Sequence, residues 1–244
     1  MRLAAAHLLI AATALAGHRD NDTPDELYID AGRRWAAVTC EVSGEERRGL
    51  RAKGSGVAIS QDWVLTAAHV ISDAPRDVRV RFADGTTVEA SAVFQEPRFD
   101  KQRIGFHDIA LVKLARSLSE REYPPLAEAR MGSGVSVVGF GMFGKLDGGD
   151  LSYDGRLRAG NAIVRHTENT CVVCFADRGC CRLLYCPASG DSGGPLFDDD
   201  GNLVGLHSYT ARPAGRRRGN YGEESCHTNV WLYRDWIADT TENN

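Results

Sequence analysis

A serine within a glycine-rich stretch, Gly190-Asp191-Ser192-Gly193-Gly194-Pro195, is the strongest chemical feature of this sequence. Glycine adopts backbone conformations that a side chain would forbid, so the glycines around Ser192 leave its hydroxyl uncrowded and place backbone N–H groups beside it. A serine hydroxyl alone is a poor nucleophile. It needs a base, and the base needs a group to orient it.

The chain supplies both groups upstream of the serine. The step Thr66-Ala67-Ala68 leads from a strand-like run to His69, and Asp108 precedes another strand-like run. We therefore predict His69 as the base and Asp108 as the acid that orients it. His107 is a rival base, but it lies beside the aspartate and not after such a step, so we assign it to structure.

In order and spacing, these stretches resemble the chymotrypsin/trypsin-type serine peptidases, with His69, Asp108 and Ser192 as the catalytic triad. The resemblance extends from about Trp35 to Ile237. Each motif alone is moderately specific, but three in order within one domain are highly specific. The resemblance implies an all-β fold class of two packed six-stranded Greek-key β-barrels with a short C-terminal helix. It also implies a serine endopeptidase that hydrolyses peptide bonds through an acyl-enzyme intermediate.

The resemblance further implies a role for each group of the site. Ser192 attacks the scissile carbonyl, and His69 takes its proton and later returns it to the leaving amine. Asp108 holds the imidazole in one tautomer. The N–H groups of Gly190 and Ser192 form the oxyanion hole, and Ser208 matches the family position that hydrogen-bonds the triad acid.

Substrate preference is expected from the positions that match the family's specificity pocket. Members that cleave after Arg or Lys carry an aspartate six residues before the nucleophile. This chain has Cys186 there, so a basic P1 residue would be buried without a partner. Thr210 stands where a glycine usually leaves the pocket mouth open, so a large aromatic would fit poorly. We expect small or medium uncharged P1 residues.

Glutamate is the second candidate at P1. Ser189, His207 and Thr210 match positions that glutamate-specific relatives use to hold a carboxylate. A histidine with two hydroxyls can satisfy a carboxylate by hydrogen bonds. The alternative is that His207 is a core histidine on an otherwise apolar strand.

Composition limits the partners that this protein can have. The chain has 244 residues, 43% of them hydrophobic, and a formal net charge of −4. Such a chain can build a sizeable core but offers no strong positive field to nucleic acid. The basic run Arg216-Arg217-Arg218 is interpreted as a solvated loop tip. The resemblance implies protein or peptide substrates, and we expect no nucleic acid, no cofactor and a monomer.

The amino terminus is typical of a secretory signal peptide. Arg2 gives a positive start, Leu3 to Ala14 is an apolar run, and Ala14-Leu15-Ala16 fits a small-x-small cleavage site. We expect residues 1–16 to be removed and the mature protein to be secreted or periplasmic, without stable membrane insertion. An uncleaved membrane anchor is the alternative.

The rest of the chain is divided by composition and pattern. Residues 17–27 are polar without an apolar period and are expected to be flexible. The peptidase domain is expected at 28–239. Its first barrel is at about 28–120, its second barrel is at about 124–231, and its C-terminal helix is at 232–239. The base and the acid then lie on the first barrel and the nucleophile on the second, with the active site in the cleft between them.

Cysteines crowd the stretch ahead of the nucleophile. The seven cysteines are at positions 40, 171, 174, 180, 181, 186 and 226. Export favours disulfides. Cys186 and Cys226 should both border the specificity pocket, so we expect them to be paired. We assign no metal ligand, although the cysteines at 171, 174, 180 and 181 could instead bind zinc.

Activation departs from the family pattern. Secreted digestive members are freed by cleavage before an Ile-Val-Gly-Gly segment, whose new amine pairs with the aspartate preceding the nucleophile. No such segment occurs here. Asp191 is still expected to be buried and to need a positive or donor partner, such as an arginine. We infer that removal of the signal peptide suffices for activity.

A second class of function is a protease-shaped binding protein without turnover. Such relatives usually lose a triad member or the oxyanion glycine. This chain keeps His69, Asp108, Ser192 and Gly190, which favours the enzyme.

Overall fold

The computed structural model describes residues 17–45, 51–72, 76–103, 105–146, 151–211 and 221–244. The strands are β1 (Gly17–Arg19), β2 (Thr39–Glu45), β3 (Arg51–Ala58), β4 (Trp63–Thr66), β5 (Arg76–Phe82), β6 (Thr87–Gln95), β7 (Ala110–Leu114), β8 (Gly134–Gly139), β9 (Phe143–Lys145), β10 (Arg158–Glu168), β11 (Cys171–Phe175), β12 (Tyr185–Cys186), β13 (Pro195–Asp198), β14 (Leu203–Ala211) and β15 (Glu224–Asn229). The helices are α1 (Asp25–Arg33), α2 (Ala68–Ile71) and α3 (Arg234–Glu242), and a 3₁₀ turn spans Val230–Tyr233.

The first barrel closes six antiparallel strands in the order β2-β3-β4-β7-β6-β5. Strand β4 is buried along its length, as expected for an apolar strand with cover on both faces. It pairs with β7, and Thr66 at its end lies opposite Ala110 at the start of β7. The segments that follow β4 and precede β7 therefore emerge side by side at one end of the barrel.

The second barrel closes in the order β10-β11-β15-β14-β13-β8. Strand β13 starts at Pro195, directly after the glycine-rich serine stretch, and pairs with β14 through Pro195 and Leu206. The prediction of an all-β protein with two six-stranded barrels is confirmed.

One hydrophobic cluster is shared by the two barrels. Leu65 and Leu111 of the first barrel belong to it, together with Val138 and Leu206 of the second. All four side chains are essentially fully buried. Because protein interiors are close-packed, this shared cluster fixes the two barrels against each other and so fixes the cleft between them.

Both ends of the segment 17–27 have regular structure, which the polar composition did not predict. Strand β1 lies in a third, small sheet between β12 and β9, and α1 begins at Asp25. Helix α1 is held by a distant partner. Arg158, whose side chain is 1% exposed, donates to both carboxylate oxygens of Asp25 from its Nε and Nη2 at 2.9 and 2.7 Å.

The C-terminal helix is confirmed, with shifted bounds. The chain first makes the 3₁₀ turn at Val230–Tyr233 and then continues as α3 to Glu242. Ile237 buries the inner face of α3 in the shared cluster. No helix in the described ranges combines the length and apolar character needed to cross a bilayer. The signal-peptide prediction (1–16) and the basic run at 216–218 lie outside those ranges.

Candidate active site

His69 and Asp108 meet at the end of the first barrel. His69 lies on the short helix α2, just after β4, and Asp108 precedes β7. The His69 ring Nδ1 is 2.7 Å from Asp108 Oδ2, and the His69 backbone N–H donates to Asp108 Oδ1 at 2.9 Å. The carboxylate is thus held at both oxygens by one residue, which fixes the orientation of the imidazole.

The second barrel completes the surroundings of Asp108. Ser208 on β14 donates its hydroxyl proton to Asp108 Oδ2 at 2.5 Å, as the resemblance implied. Thr228 on β15 donates to the backbone oxygen of Asp108 at 2.9 Å. No motif pointed to Thr228, because its contact depends on how the barrels dock. Asp108 is fully buried, so these bonds replace its lost hydration.

Burial and pairing act in opposite directions on the two titratable groups. Burial lowers the pKa of His69, but the charge of Asp108 and its hydrogen bond outweigh burial and leave that pKa raised. Burial raises the pKa of Asp108, but the His69 charge and the hydrogen bonds from His69 and Ser208 outweigh it and leave that pKa lowered. The pair therefore favours an ionised carboxylate beside an imidazole that readily accepts a proton.

The serine loop packs directly against the first barrel. The backbone N–H of Ser55 donates to the Ser192 carbonyl at 2.7 Å, and the Ser55 hydroxyl donates to the Gly190 carbonyl at 2.8 Å. Gly193 has φ +80°, and a Cβ there would lie 2.7 Å from the backbone nitrogen of Ala67. Only glycine fits this approach. Sequence reasoning missed Ser55, since a lone serine in a strand carries no signal of such a contact.

Two backbone N–H groups of this loop are left without an acceptor. The N–H groups of Asp191, Gly193 and Gly194 donate to the carbonyls of residues 188, 207 and 191. Within the part of the chain that the structure describes, the N–H groups of Gly190 and Ser192 donate to no acceptor. Unpaired amides beside a serine hydroxyl suit an incoming oxyanion.

The hydroxyl of Ser192 is not hydrogen-bonded to the His69 ring among the described residues. Hydrogen bonds of catalytic groups are often long without substrate and tighten in the complex. The two loops nevertheless adjoin, because Gly193 lies against Ala67, two residues before the histidine.

Asp191 is buried as expected, but its partner is not an arginine. Its side chain accepts from the backbone N–H of Gly141 at 2.9 Å, from that of Ala188 at 2.9 Å and from the hydroxyl of Tyr185 at 3.1 Å. Burial raises its pKa to about 6, against these hydrogen bonds and the more distant charge of Arg158. Arg158 is instead paired with Asp25 and Asp154.

The four residues predicted to line the specificity pocket lie on β12, on the loop after it and on β14. Cys186 is buried, with its Sγ 3.8 Å from Glu223 Oε2. The Thr210 hydroxyl donates to the Pro187 carbonyl at 3.1 Å, and the Ser189 carbonyl accepts from Met142 N–H at 2.9 Å.

Among these four residues, His207 has a buried ring nitrogen to which no described residue is hydrogen-bonded. Its side chain is buried, and its Nδ1 has no partner within the ranges given above. Its ring lies 5.2 Å from that of His227, edge to face. Burial, with smaller effects from His227 and His69, holds the pKa of His207 well below its usual value. His207 is therefore a neutral imidazole at pH 7.

The expected disulfide between Cys186 and Cys226 is wrong. All seven cysteines are free thiols. Cys186 packs in a cluster with Leu146 and Leu184, whereas Cys226 packs in a separate cluster with Cys171. The two sulfurs therefore lie in different clusters of the second barrel and do not meet.

The zinc alternative finds no support in the positions of its cysteines. Cys171 lies beside Cys226, and Cys180 contacts Cys181 with their sulfurs 3.1 Å apart. Among the residues described, no three or more His, Cys, Asp or Glu side chains are grouped so that they could hold a metal ion.

Comparison with known proteins defines the class. A family model described as Trypsin matches residues 36–237, so the chain belongs to the trypsin family. The match covers both barrels and the start of α3.

Two curated relatives and one solved structure illustrate the similarity. The chain is 33% identical over 190 residues to the Homo sapiens peroxisomal leader peptide-processing protease, covering 75% of this chain and 29% of that protein. It is 29% identical over 177 residues to a probable periplasmic serine endoprotease DegP-like of Pseudomonas fulva (strain 12-X), covering 70% of this chain and 32% of that protein. The chain thus spans less than a third of the length of either relative.

A solved structure has the same fold. Neuropsin, a serine protease expressed in the limbic system of mouse brain, superposes with a TM-score of 0.66 at 20% sequence identity. The match covers 84% of this chain and 95% of that chain.

Proposed function

We propose that this trypsin-family protein is an active serine endopeptidase that uses His69, Asp108 and Ser192 as its triad. The observation that carries the proposal is the two-point attachment of Asp108 to His69, through the ring at 2.7 Å and the backbone at 2.9 Å. Such an attachment is of little use to a binding protein, but a general base needs it in order to keep its tautomer and direction.

The chemistry proceeds from the remaining groups. Ser192 Oγ attacks the scissile carbonyl while His69 Nε2 takes its proton. The carbonyl oxygen becomes an oxyanion that accepts from the N–H groups of Gly190 and Ser192, each typically worth about 10²–10³ in kcat. His69 then protonates the leaving amine, and water repeats the sequence on the acyl-enzyme. The neighbouring N–H groups of the loop are already bonded, which leaves these two for the substrate.

We propose small or medium uncharged residues at P1, with glutamate as the second candidate and Arg or Lys excluded. The Thr210 hydroxyl donates to the Pro187 carbonyl, so its proton is not offered to a P1 carboxylate. This supports the uncharged preference. The unpartnered Nδ1 of His207 is the feature that keeps glutamate as a candidate, because a neutral imidazole can donate one N–H.

We also propose export, with the signal peptide removed after Ala16. The mature chain would then start at Gly17, the first residue of β1. The DegP-like relative is named as periplasmic, which supports this location, whereas the human relative is named as peroxisomal.

Hydrolysis of a protein substrate tests the proposed activity. Wild-type protein should cleave casein, and Ser192→Ala should not. The exposed Ser91 provides the matched control, since Ser91→Ala removes the same atom far from the proposed site and should retain full activity. Equal residual cleavage by Ser192→Ala would indicate a contaminating protease or another nucleophile and would contradict the proposal.

Substrate preference is tested with peptides that differ only at P1. We expect kcat/KM to be highest for Ala, Val or Leu at P1, with Glu next and Arg and Lys lowest. If the Glu peptide exceeds its Gln counterpart, His207→Gln should remove that difference and leave the Ala peptide unaffected. Fastest cleavage after Arg or Lys would contradict the pocket assignment.

A further inference from the structure

Asp191 is a buried carboxylate placed between the two unpaired backbone amides of the serine loop. Its side chain is almost completely buried. Among the described residues no Lys, Arg or His lies within ion-pair distance of it. Its hydrogen-bond donors are two backbone amides and one side chain, the hydroxyl of Tyr185. Tyr185 thus gives the carboxylate its side-chain anchor.

The carboxylate is seated with little free space. A Cβ at Gly141 would lie 2.5 Å from the Asp191 Cγ, and a Cβ at Gly139 would also overlap its carboxylate. A side chain so enclosed transmits its position to its own backbone. Asp191 lies between Gly190 and Ser192 in the chain. The position of its carboxylate therefore determines the direction of the backbone N–H groups of those two residues.

Tyr185 is itself held by the N-terminal helix. Its ring centroid lies 6.0 Å from that of Tyr28 on α1. The Tyr28 hydroxyl donates to the Leu184 carbonyl at 3.0 Å, next to Tyr185 in sequence. Helix α1 is in turn fixed to β10 by the bidentate contact between Arg158 and Asp25. The Tyr185 ring therefore has a defined position and can hold a donor in place.

We propose that Tyr185 is a positioning residue, which anchors the Asp191 carboxylate and thereby holds the Gly190 and Ser192 N–H groups in the geometry that receives the oxyanion. The proposal rests on the proposed endopeptidase function. In this proposal helix α1 also has a role at the active site, because its Tyr28 holds Tyr185 in position.

Tyr185→Phe removes the donor and keeps the ring. The lost hydrogen bond to the ionised Asp191 carboxylate is of the strong, charge-assisted kind. We therefore expect kcat to fall about 10-fold, while KM stays within about 2-fold of the wild-type value. A change confined to kcat is the mark of an interaction made in the transition state. Tyr221→Phe is the matched control. It also removes a tyrosine–aspartate hydrogen bond, from Tyr221 to Asp20 at 2.9 Å, but outside the proposed machinery, and it should keep the wild-type kcat.

A second measurement does not depend on turnover. The pKa of Asp191, which burial raises to about 6, is followed by ¹³C NMR of aspartate-labelled protein and assigned with Asp191→Asn. The titratable groups that face it are Tyr185, the thiol of Cys186 and, further away, Arg158. Loss of the Tyr185 donor should raise the Asp191 pKa, because the ionised form loses a stabilising hydrogen bond.

The outcomes separate the inference from the function on which it rests. A lower kcat with a raised Asp191 pKa in Tyr185→Phe, and neither change in Tyr221→Phe, supports the proposal. Unchanged kcat and unchanged Asp191 titration in Tyr185→Phe overturn it and leave the backbone N–H groups of Gly141 and Ala188 as the anchors of the carboxylate. A wild-type protein without any turnover would contradict the proposed function, whereas the NMR titration would still decide whether Tyr185 anchors Asp191.

Discussion

His69 grips Asp108 at both carboxylate oxygens, with its ring at Oδ2 and its own backbone N–H at Oδ1. His69 therefore supplies the base and also one of the hydrogen bonds that hold Asp108, the acid that orients it. A change at Asp108 should for this reason act on His69 more strongly than on the fold of the barrel.

Asp108→Asn should lower kcat by about 10⁴-fold at neutral pH, as for other Ser-His-Asp triads, because the amide favours the wrong tautomer of the imidazole. Circular dichroism should show a folded protein. A loss of less than about 10-fold would indicate that Asp108 does not orient the base.

The pH dependence of kcat/KM reports the raised pKa of His69. Asp108 lifts this pKa above the ordinary value of 6.5 despite burial, so activity should fall as the pH drops through a midpoint above 6.5. Because the folded-state pKa is raised, the stabilisation from the protonated pair is present below pH 6.5 and is lost as the pH rises through the folded value. An acid limb centred well below 6.5 would contradict this pairing.

Ser208→Ala should reduce kcat/KM by about 10-fold. The serine donates to a fully buried carboxylate, and a hydrogen bond to a charged group contributes about 1.5–3 kcal/mol. The midpoint of the low-pH limb in the kcat/KM profile should also shift, since Asp108 loses one of the hydrogen bonds that lower its pKa. Ser91→Ala, at an exposed position, is the control, and equal rates for the two variants would argue against the role of Ser208.

Arg158→Met should lower the free energy of unfolding by about 2 kcal/mol, since it leaves two carboxylates, Asp25 and Asp154, without their shared guanidinium. Both carboxylates are partly exposed, which limits the loss. Arg156→Met removes a neighbouring arginine that is largely exposed and should change stability by less than about 0.5 kcal/mol. Urea denaturation measures both, and equal losses would show that the buried arginine has no special role.

Peptide mapping under non-reducing conditions tests the cysteine arrangement. Cys186 faces Glu223, and Cys226 faces Cys171. We therefore expect no cross-linked peptide that joins Cys186 to Cys226. Recovery of that peptide in native, alkylated protein would restore the pairing that we expected from the positions of the two cysteines near the predicted pocket.

Much of the fold could be predicted from the sequence because its signals are local. The motifs around His69, Asp108 and Ser192 carry the family resemblance, and that resemblance implied the two barrels. The contact between Ser208 and Asp108 could be expected because it follows from the same resemblance.

What could not be predicted depends on contacts between distant segments. Strand β1 forms in a polar stretch because it pairs with β12 and β9, and helix α1 is held because Arg158, more than 130 positions later, is buried against Asp25. Tyr185 becomes the donor to Asp191 only when the serine loop folds back onto β12. The Cys186–Cys226 pairing was inferred from position near the pocket, whereas side-chain direction on each strand decides which sulfurs meet.

Covalent labelling of Ser192 by a fluorophosphonate, with the adduct located by mass spectrometry, tests the central claim most directly. The reagent reacts with a serine that a neighbouring base has activated. We expect stoichiometric labelling at Ser192 in the wild-type protein and none in His69→Ala, which retains the serine. A folded wild-type protein that stays unlabelled, or equal labelling of His69→Ala, would contradict it.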